Sequence, residues 1–180
     1  MIARAATLGF TLIELMIALV IAALLVMLAV PSFSSYLRDS EIRSTTESVA
    51  NGLRVARTEA LRRNLAVGFT LVGGPGSASW TVNQVSDNSL IQTYSKQEGG
   101  THTAVTIQPA TAISVIFNGL GRIAPATAGA TPNLQQLDIG SILAPDARSL
   151  RIYVDDPHGL RMCDPSPALA TLVPPDPRAC

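Results

Sequence analysis

Hydrophobic residues run almost without interruption through the first part of the chain. From Phe10 to Val30 the only ionisable side chain is Glu14. A helix over 10–31 is about 22 residues and roughly 33 Å long, enough to cross a hydrocarbon core of about 30 Å. This pattern predicts a membrane-spanning helix with a carboxylate about one turn inside it, where an acidic side chain is costly and usually has a partner. Pro31 removes one backbone donor and is expected to bend the helix without necessarily ending it.

Beyond this segment the hydrophobic residues become periodic. Apolar or small residues recur at steps of three and four and form one stripe: Ile42, Thr46, Val49, Leu53, Ala56 and Ala60. Charged side chains occupy the other faces, which is the pattern of an amphipathic helix. We therefore expect 32–64 to be the amphipathic half of one long helix. The six arginines and four acidic residues over 38–64 fit a solvated face or a contact surface for another subunit.

After Asn64 the chain changes to short β-branched runs separated by Gly, Pro and Asn. Six runs predict strands: 65–72, 79–85, 103–108, 112–117, 134–139 and 148–154. Strands that follow a helix indicate an α+β fold, with antiparallel sheet packed on the amphipathic half of the helix. Trp80 is expected to pack in this core. The β-rich region 65–180 should form one domain with 32–64.

Composition and charge limit the classes of function. A chain of 180 residues with 47% hydrophobic and 14% charged residues has room for one domain and its anchor. The formal net charge is zero, so bulk charge does not direct the protein to nucleic acid or to an anionic membrane. Any binding of a polyanion would have to be local.

Catalytic and metal-binding patterns are missing from the sequence. His102 and His158 are isolated, and there is no Gly-rich phosphate loop or HExxH spacing. The acidic stretch 155–159 lacks the ligand spacing of a calcium loop and fits a hairpin turn better. The sequence therefore predicts neither an enzyme nor a site for a metal or cofactor.

Both cysteines, Cys163 and Cys180, lie in a proline-rich tail that has too many prolines for regular secondary structure. An anchor that sends the rest of the chain across the membrane would place them in an oxidising compartment, where a disulfide is expected. Closing that loop would contribute about 3 kcal/mol to stability. Free thiols and metal ligation are the alternatives, although two cysteines without an adjacent histidine make a poor zinc site.

The start of the chain has the order of a leader and a retained helix. Segment 1–9 carries one charged side chain, Arg4, and is too short for a complete secretory signal peptide. In such a peptide the cut follows the apolar segment, whereas the junction of Gly9 and Phe10 precedes it. The sequence Gly-Phe-Thr-Leu-Ile-Glu-Leu-Met at 9–16 resembles the class III signal of type IV pilins and of type II secretion pseudopilins.

This resemblance implies roles in processing and assembly. Prepilin peptidase would cut after Gly9 on the cytoplasmic side, remove the leader 1–9 and methylate the new amine of Phe10. Glu14 would attract the Phe10 amine of an adjacent subunit in a filament, and Pro31 would mark the point where pilin helices kink. An ordinary single-pass anchor is the alternative, but it does not explain why the apolar segment contains Glu14 and is preceded by the Gly-Phe junction.

Sequence runs further along the chain make the resemblance to one family more specific. The helix end at 54–64, followed by the run Ile-Phe-Asn-Gly-Leu-Gly-Arg at 116–122, is similar to the GspH/FimT family of minor pilins and pseudopilins. Runs 161–165 and 176–180 resemble its FimU-like branch, whose carboxyl tail is closed by a disulfide. The resemblance implies a type IV pilin-like fold and a minor pilin near the filament tip, which primes assembly with other minor pilins and the major pilin and serves twitching motility.

The same resemblance and the charge at the amino terminus imply a location. Arg4 favours a cytoplasmic leader. The protein would then begin as a single-pass inner-membrane protein with a periplasmic body, and would later reach the pilus at the cell surface.

Two other functions share the pilin signal. An H-type pseudopilin of type II secretion would have the same anchor and processing site. A FimT-like protein would take up DNA through a Gly-Arg-x-Arg motif, and Arg122, Arg161 and Arg178 would then contact DNA. Here the corresponding run, 159–162, has leucine in place of the first arginine. From Leu65 onward six basic residues face eight acidic ones, which disfavours binding to phosphates.

Overall fold

The computed structural model describes residues 10–73, 76–98, 100–126, 131–144, 148–155, 159–172, 174 and 176–180. The chain divides into two compact units, Met1–Leu37 and Arg38–Cys180, which are described separately below. The processing position Gly9 lies outside the described residues. The sequence-based boundaries of the leader, the membrane helix and the amphipathic half stay predictions.

A long helix, α1 (Leu12–Arg63), opens the described chain. In the first unit every residue from Phe10 to Val30 is exposed. This part of α1 is long and apolar enough to cross a membrane, and a helix that is apolar on all sides is typical of a membrane span. The helix continues through position 31, so Pro31 does not end it. The bend expected there stays a prediction.

In the second unit the amphipathic half of α1 buries one face. The predicted stripe is confirmed, since each of its members is at most 2% exposed: Ile42, Thr46, Val49, Leu53, Ala56 and Ala60. The helix ends at Arg63, and the next residue, Asn64, is in the left-handed conformation with φ of 52°. The Leu65 N–H donates to the Ala60 carbonyl at 3.3 Å, which is the bond of a Schellman cap. This cap turns the chain from the helix directly into the first strand.

Within the described part of the chain, eight strands form two four-stranded antiparallel sheets. The first sheet has the order β3-β2-β1-β5 and consists of β1 (Val67–Val72), β2 (Ser79–Gln84), β3 (Leu90–Tyr94) and β5 (Ser114–Phe117). The second has the order β4-β6-β7-β8 and consists of β4 (Thr103–Gln108), β6 (Gln136–Ser141), β7 (Leu150–Asp155) and β8 (Gly159–Cys163). In β6 buried and half-buried residues alternate, because successive side chains point to opposite faces of a sheet. The predicted α+β fold with antiparallel sheet is confirmed.

Trp80 is the largest buried side chain and lies between the first sheet and α1. The residue is 1% exposed, and its ring stacks on Tyr94 at a centroid distance of 5.9 Å and contacts Phe69 at a centroid distance of 5.7 Å. A Cβ atom at Gly52 of α1 would lie 2.9 Å from three carbon atoms of this ring, so the helix backbone must lack a side chain there. Gly52, a weak residue for a helix, is what allows Trp80 to pack. The predicted core position of Trp80 is confirmed.

Among the described residues, two strands and one short helix differ from the sequence-based expectation. Strands β3 and β8 were not predicted, because β3 is mostly exposed and β8 has two exposed residues in the middle. Both form by pairing with a neighbouring strand. The expectation of no regular structure in the tail was wrong, since α2 (Pro167–Ala170) forms one helical turn. Proline is compatible with the first position of a helix, where its missing N–H is not needed.

Candidate functional site

The start of α1 is a helix cap built from Thr11 and Glu14. The Thr11 Oγ1 accepts the N–H of Glu14 at 3.3 Å, and the Thr11 carbonyl accepts the N–H of Leu15 at 3.1 Å. A Thr followed three residues later by Glu is the spacing of a capping box. Thr11 therefore belongs to the site. The pattern of hydrophobic residues does not point to it, but its position three residues before Glu14 does.

The cap also explains how a carboxylate can begin an apolar helix. Glu14 lies in the first turn of α1, where the helix dipole favours a negative charge by about 0.3–1 kcal/mol. Its side chain is exposed, and within the described chain no cation is bonded to it. Phe10 lies just before the cap and is 86% exposed. The structure thus places Phe10 and Glu14 at one end of α1, and their roles in assembly stay predictions.

At the other end of the chain, a disulfide closes the tail. Cys163, the last residue of β8, is bonded to Cys180 with the two Cα atoms 5.1 Å apart. The backbone supports this closure, because the Asp164 N–H donates to the Arg178 carbonyl at 2.7 Å and the Cys180 N–H donates to the Asp164 carbonyl at 3.0 Å. The predicted disulfide is confirmed, and it holds the end of the tail beside β8.

A buried carboxylate anchors the same tail. Asp164 is 4% exposed. Its Oδ2 lies 2.9 Å from the Arg148 Nε, and its Oδ1 accepts the Ser166 N–H at 3.0 Å. A buried charge is tolerated when it is paired and hydrogen-bonded in this way. The sequence alone gives no sign of this pair, since the two side chains meet only after β7 and β8 have formed.

Several basic residues of the body are paired with carboxylates. In the tail Arg178 binds Asp176 through two bonds of 2.7 and 2.9 Å. The Arg178 side chain, and then its backbone N–H, lower the pKa of Asp176 to about 2. On the second sheet the Arg151 Nε lies 2.6 Å from the Asp138 Oδ1. These pairs take up part of the positive charge that binding to phosphates would need.

The three arginines named for DNA contact lie in two places. Arg161 is in β8 and Arg178 is in the tail beside it, where the Arg161 Nη2 donates to the Ala179 carbonyl at 3.4 Å. Arg122 lies in the loop after β5, beside the carboxyl end of α1. His102, at the start of the β4 region, contacts Glu41 of α1, with Nδ1 3.4 Å from Oε2. His158 lies outside the described residues.

Two family models match this chain. The prokaryotic N-terminal methylation motif covers residues 4–30. The model described as type II transport protein GspH covers residues 45–156, more than half of the chain. The apolar first helix, the two antiparallel sheets and the methylation motif define a type IV pilin-like protein. Within this class the chain belongs to the GspH family.

Solved structures of pilin-class proteins are similar to this one. The type IV minor pilin FimU of Pseudomonas aeruginosa aligns with a TM-score of 0.51 and 13% identity over 67% of this chain and 90% of that chain. The minor pseudopilin EpsH from the type 2 secretion system of Vibrio cholerae aligns with a TM-score of 0.49 and 14% identity over 70% and 98%. The first of these likenesses supports the pilin-like fold. The methylation motif and the apolar helix indicate membrane anchoring and assembly with other pilins after processing by prepilin peptidase.

Proposed function

We propose that this protein is a FimU-like minor type IV pilin. In this proposal prepilin peptidase cuts after Gly9 and methylates Phe10. The mature subunit then joins other minor pilins near the tip of the filament and primes addition of the major pilin. Before assembly it crosses the inner membrane once, with its amino terminus in the cytoplasm and its body in the periplasm.

The observation that carries the proposal is the state of Glu14. Its carboxylate is exposed at the start of a helix that is apolar on all sides, and no cation of the described chain is bonded to it. In a hydrocarbon environment such a charge needs a partner. The amine that cleavage before Phe10 would create is a cation of the right kind, on the same subunit or on a neighbour. An ordinary membrane anchor would gain nothing from this arrangement.

The closed tail supports the FimU-like branch. The disulfide joins Cys163 to Cys180, and the runs around both cysteines are the ones that resemble FimU-like minor pilins. A tail fixed against β8 by covalent and backbone bonds presents one defined surface to a neighbouring subunit. This is what a subunit with a fixed position near a filament tip requires.

A pseudopilin of the H type is the second candidate. The family description that matches residues 45–156 names a type II transport protein, and this favours secretion. The two candidates differ in their partners. Pull-down of the detergent-solubilised protein followed by mass spectrometry should recover pilus minor pilins under our proposal, and secretion pseudopilins under the alternative.

The direct test of the proposal is Glu14→Ala, with Glu47→Ala as a matched control. Glu47 is a carboxylate on the same helix, and among the described residues its ion pair is with the exposed Arg43. We expect Glu14→Ala to be processed and retained in the membrane but at least about tenfold depleted from sheared filaments, since an unpaired amine costs more than 1.4 kcal/mol in lipid. Glu47→Ala should enter filaments normally. Normal incorporation of Glu14→Ala would contradict the proposal.

A further inference from the structure

Two exposed aliphatic residues, Ile142 and Leu143, follow β6 directly, and we call them the apolar pair. They are 51% and 62% exposed. The Leu143 N–H donates to the Ser141 Oγ at 3.2 Å, so the end of the strand holds the backbone of the pair. A single exposed leucine is ordinary in a soluble domain. Groups of exposed apolar side chains can mark a contact with a partner or a membrane, and the position of the pair in the fold decides which contact is available.

The apolar pair lies at the end of the body where α1 enters it. The Ile142 N–H donates to the His102 carbonyl at 2.9 Å. The His102 N–H in turn donates at 2.8 Å to the Oε1 of Glu41, the fourth residue of the second unit. A Cβ atom at Gly100 would lie 2.8 Å from the Thr45 Oγ1, so the chain before His102 also packs on α1. One residue therefore separates the apolar pair from the first turn of α1 in the body.

Chain length limits how far this end of the body can lie from lipid. The uncharged stretch of the predicted span ends at Val30, and the second unit begins at Arg38. The connection between them reaches at most about 29 Å when fully extended and about 12 Å as a helix. Tyr36 lies within it and is 68% exposed, and tyrosine is enriched at membrane–water interfaces. The end of the body that carries the apolar pair is thus the end tethered close to the membrane.

The body has a comparable exposed leucine at its other end. Arg63, the last residue of α1, is separated from Glu41 by about 33 Å along the helix. The Arg63 Nη1 donates to the Gln84 Oε1 at 3.1 Å, and the Gln84 N–H donates to the Ser89 carbonyl at 3.0 Å. The next residue, Leu90, is 59% exposed. Leu90 therefore matches Leu143 in chemistry and exposure but lies far from the end where α1 enters.

Charges near the apolar pair are balanced. Positions 38–43 hold two arginines and two acidic residues. The Glu41 Oε2 lies 3.4 Å from the His102 Nδ1, and Arg148, two positions before β7, is paired with Asp164. A surface of this kind has no excess of basic side chains to attract anionic lipid. Contact with a membrane would therefore depend on the aliphatic side chains and would be insensitive to salt.

We infer that Ile142 and Leu143 insert into the surface of the membrane that anchors the protein, so that before assembly the body contacts the bilayer through the end where α1 enters. Lipid is the occupant because α1 tethers this end to the membrane, and because a bilayer accepts aliphatic side chains without a shaped pocket. The inference goes beyond the proposed function. It requires only anchoring by α1, which the pilin and the pseudopilin candidates share.

Quenching by brominated lipid tests the inference with the full-length protein. The protein is reconstituted into liposomes of phosphatidylcholine with brominated acyl chains, and Leu143→Trp is compared with Leu90→Trp. Trp80 is buried and adds the same background to both variants, which also share the preference of tryptophan for interfaces. We expect the added tryptophan at position 143 to be quenched at least about fivefold more, since an inserted side chain lies about 5–10 Å deep. Equal quenching at the two positions, whether strong or weak, would overturn the inference.

A charged neighbour gives a second readout. In the Leu143→Trp background, Ile142→Asp should reduce the quenching at least about fivefold, because a carboxylate resists entry into lipid. Leu90→Asp in the same background is the control and should leave the quenching unchanged. Both replaced side chains are exposed, so both variants should keep the unfolding midpoint in urea. Full quenching in the Ile142→Asp variant would contradict the inference.

The salt dependence separates apolar insertion from attraction by charge. Quenching of Leu143→Trp should be the same in dilute buffer and in about 1 M salt, where exposed charges are screened within about 3 Å. Loss of most of the quenching in salt would mean that charges, and not the apolar pair, make the contact. None of these measurements needs a filament. Normal incorporation of Glu14→Ala into filaments would therefore remove the proposed function and leave the lipid contact to be decided by quenching.

Discussion

The two halves of α1 use the same kinds of residue with opposite results. Leu24 in the first half is 58% exposed, whereas Leu53 in the second half is fully buried. The first half is apolar on all sides, so its surface requires lipid or other helices. The second half is apolar on one stripe, so it can serve as the spine of a folded domain. The arrangement of the apolar positions around the helix, more than their number, therefore decides whether a segment packs into a folded domain or needs lipid or other helices around it.

The largest effect is expected when one leucine is replaced in each half of α1. Leu53→Ala should lower the free energy of unfolding of the body by about 2–5 kcal/mol, because it leaves a cavity in the core. Leu24→Ala should leave that free energy unchanged. Trp80 is the only tryptophan and is buried in the body, so its fluorescence during urea unfolding of the full-length protein in detergent measures both variants. Equal destabilisation by the two changes would mean that the first half also supports the body.

Removing the disulfide should have a somewhat smaller effect on the same body. Replacing both Cys163 and Cys180 by alanine opens a loop whose two ends are 17 positions apart in the sequence, and loop entropy predicts a loss of about 3 kcal/mol. The midpoint in urea should fall, while insertion of the first half of α1 into membranes should not change. Reduced wild-type protein is the control and should match the double variant. A loss below about 1 kcal/mol would mean that the prolines and the Asp164 pair fix the tail without the covalent bond.

The smallest effect concerns the charges at the end of the amphipathic half. Hydrogen bonds from Arg62 and then Arg63 lower the pKa of Glu59 from about 4.5 to about 2. The folded protein therefore binds fewer protons than the unfolded chain between these values, and the stabilisation is complete above about pH 4.5 and lost as the pH falls toward 2. Glu59→Gln should flatten this acid dependence slightly in urea unfolding followed by Trp80 fluorescence. An unchanged acid dependence would show that the pair contributes nothing.

Much of the fold could be predicted from the sequence because most elements carry their own pattern. The buried stripe of α1 appears at helical spacing, and the β-branched runs mark six of the eight strands in the described chain. Strands β3 and β8 could not be predicted, since their exposed residues have no strong alternation and they form by pairing with β2 and β7. The role of Gly52 could not be predicted either, because Gly52 makes room for the ring of Trp80, which lies on a strand distant in the sequence.

The candidate site likewise contains residues that sequence spacing identifies and contacts that form only in the folded structure. Residues that act through sequence spacing, such as Thr11 with Glu14 or the two cysteines of the tail, can be found in the sequence. The Arg148–Asp164 pair and the approach of Gly121, in the loop after β5, to Leu61 at the end of α1 depend on tertiary structure. They became visible only when the strands and the loop after β5 were in place.

The amino terminus of the mature protein tests the central claim most directly. Protein is isolated from sheared filaments and from membranes of the same cells, and its first residue is determined by mass spectrometry. Our account predicts a methylated Phe10 as the first residue and the presence of the protein in the filament fraction. A mature chain that still began at Met1 and occurred only in membranes would contradict it.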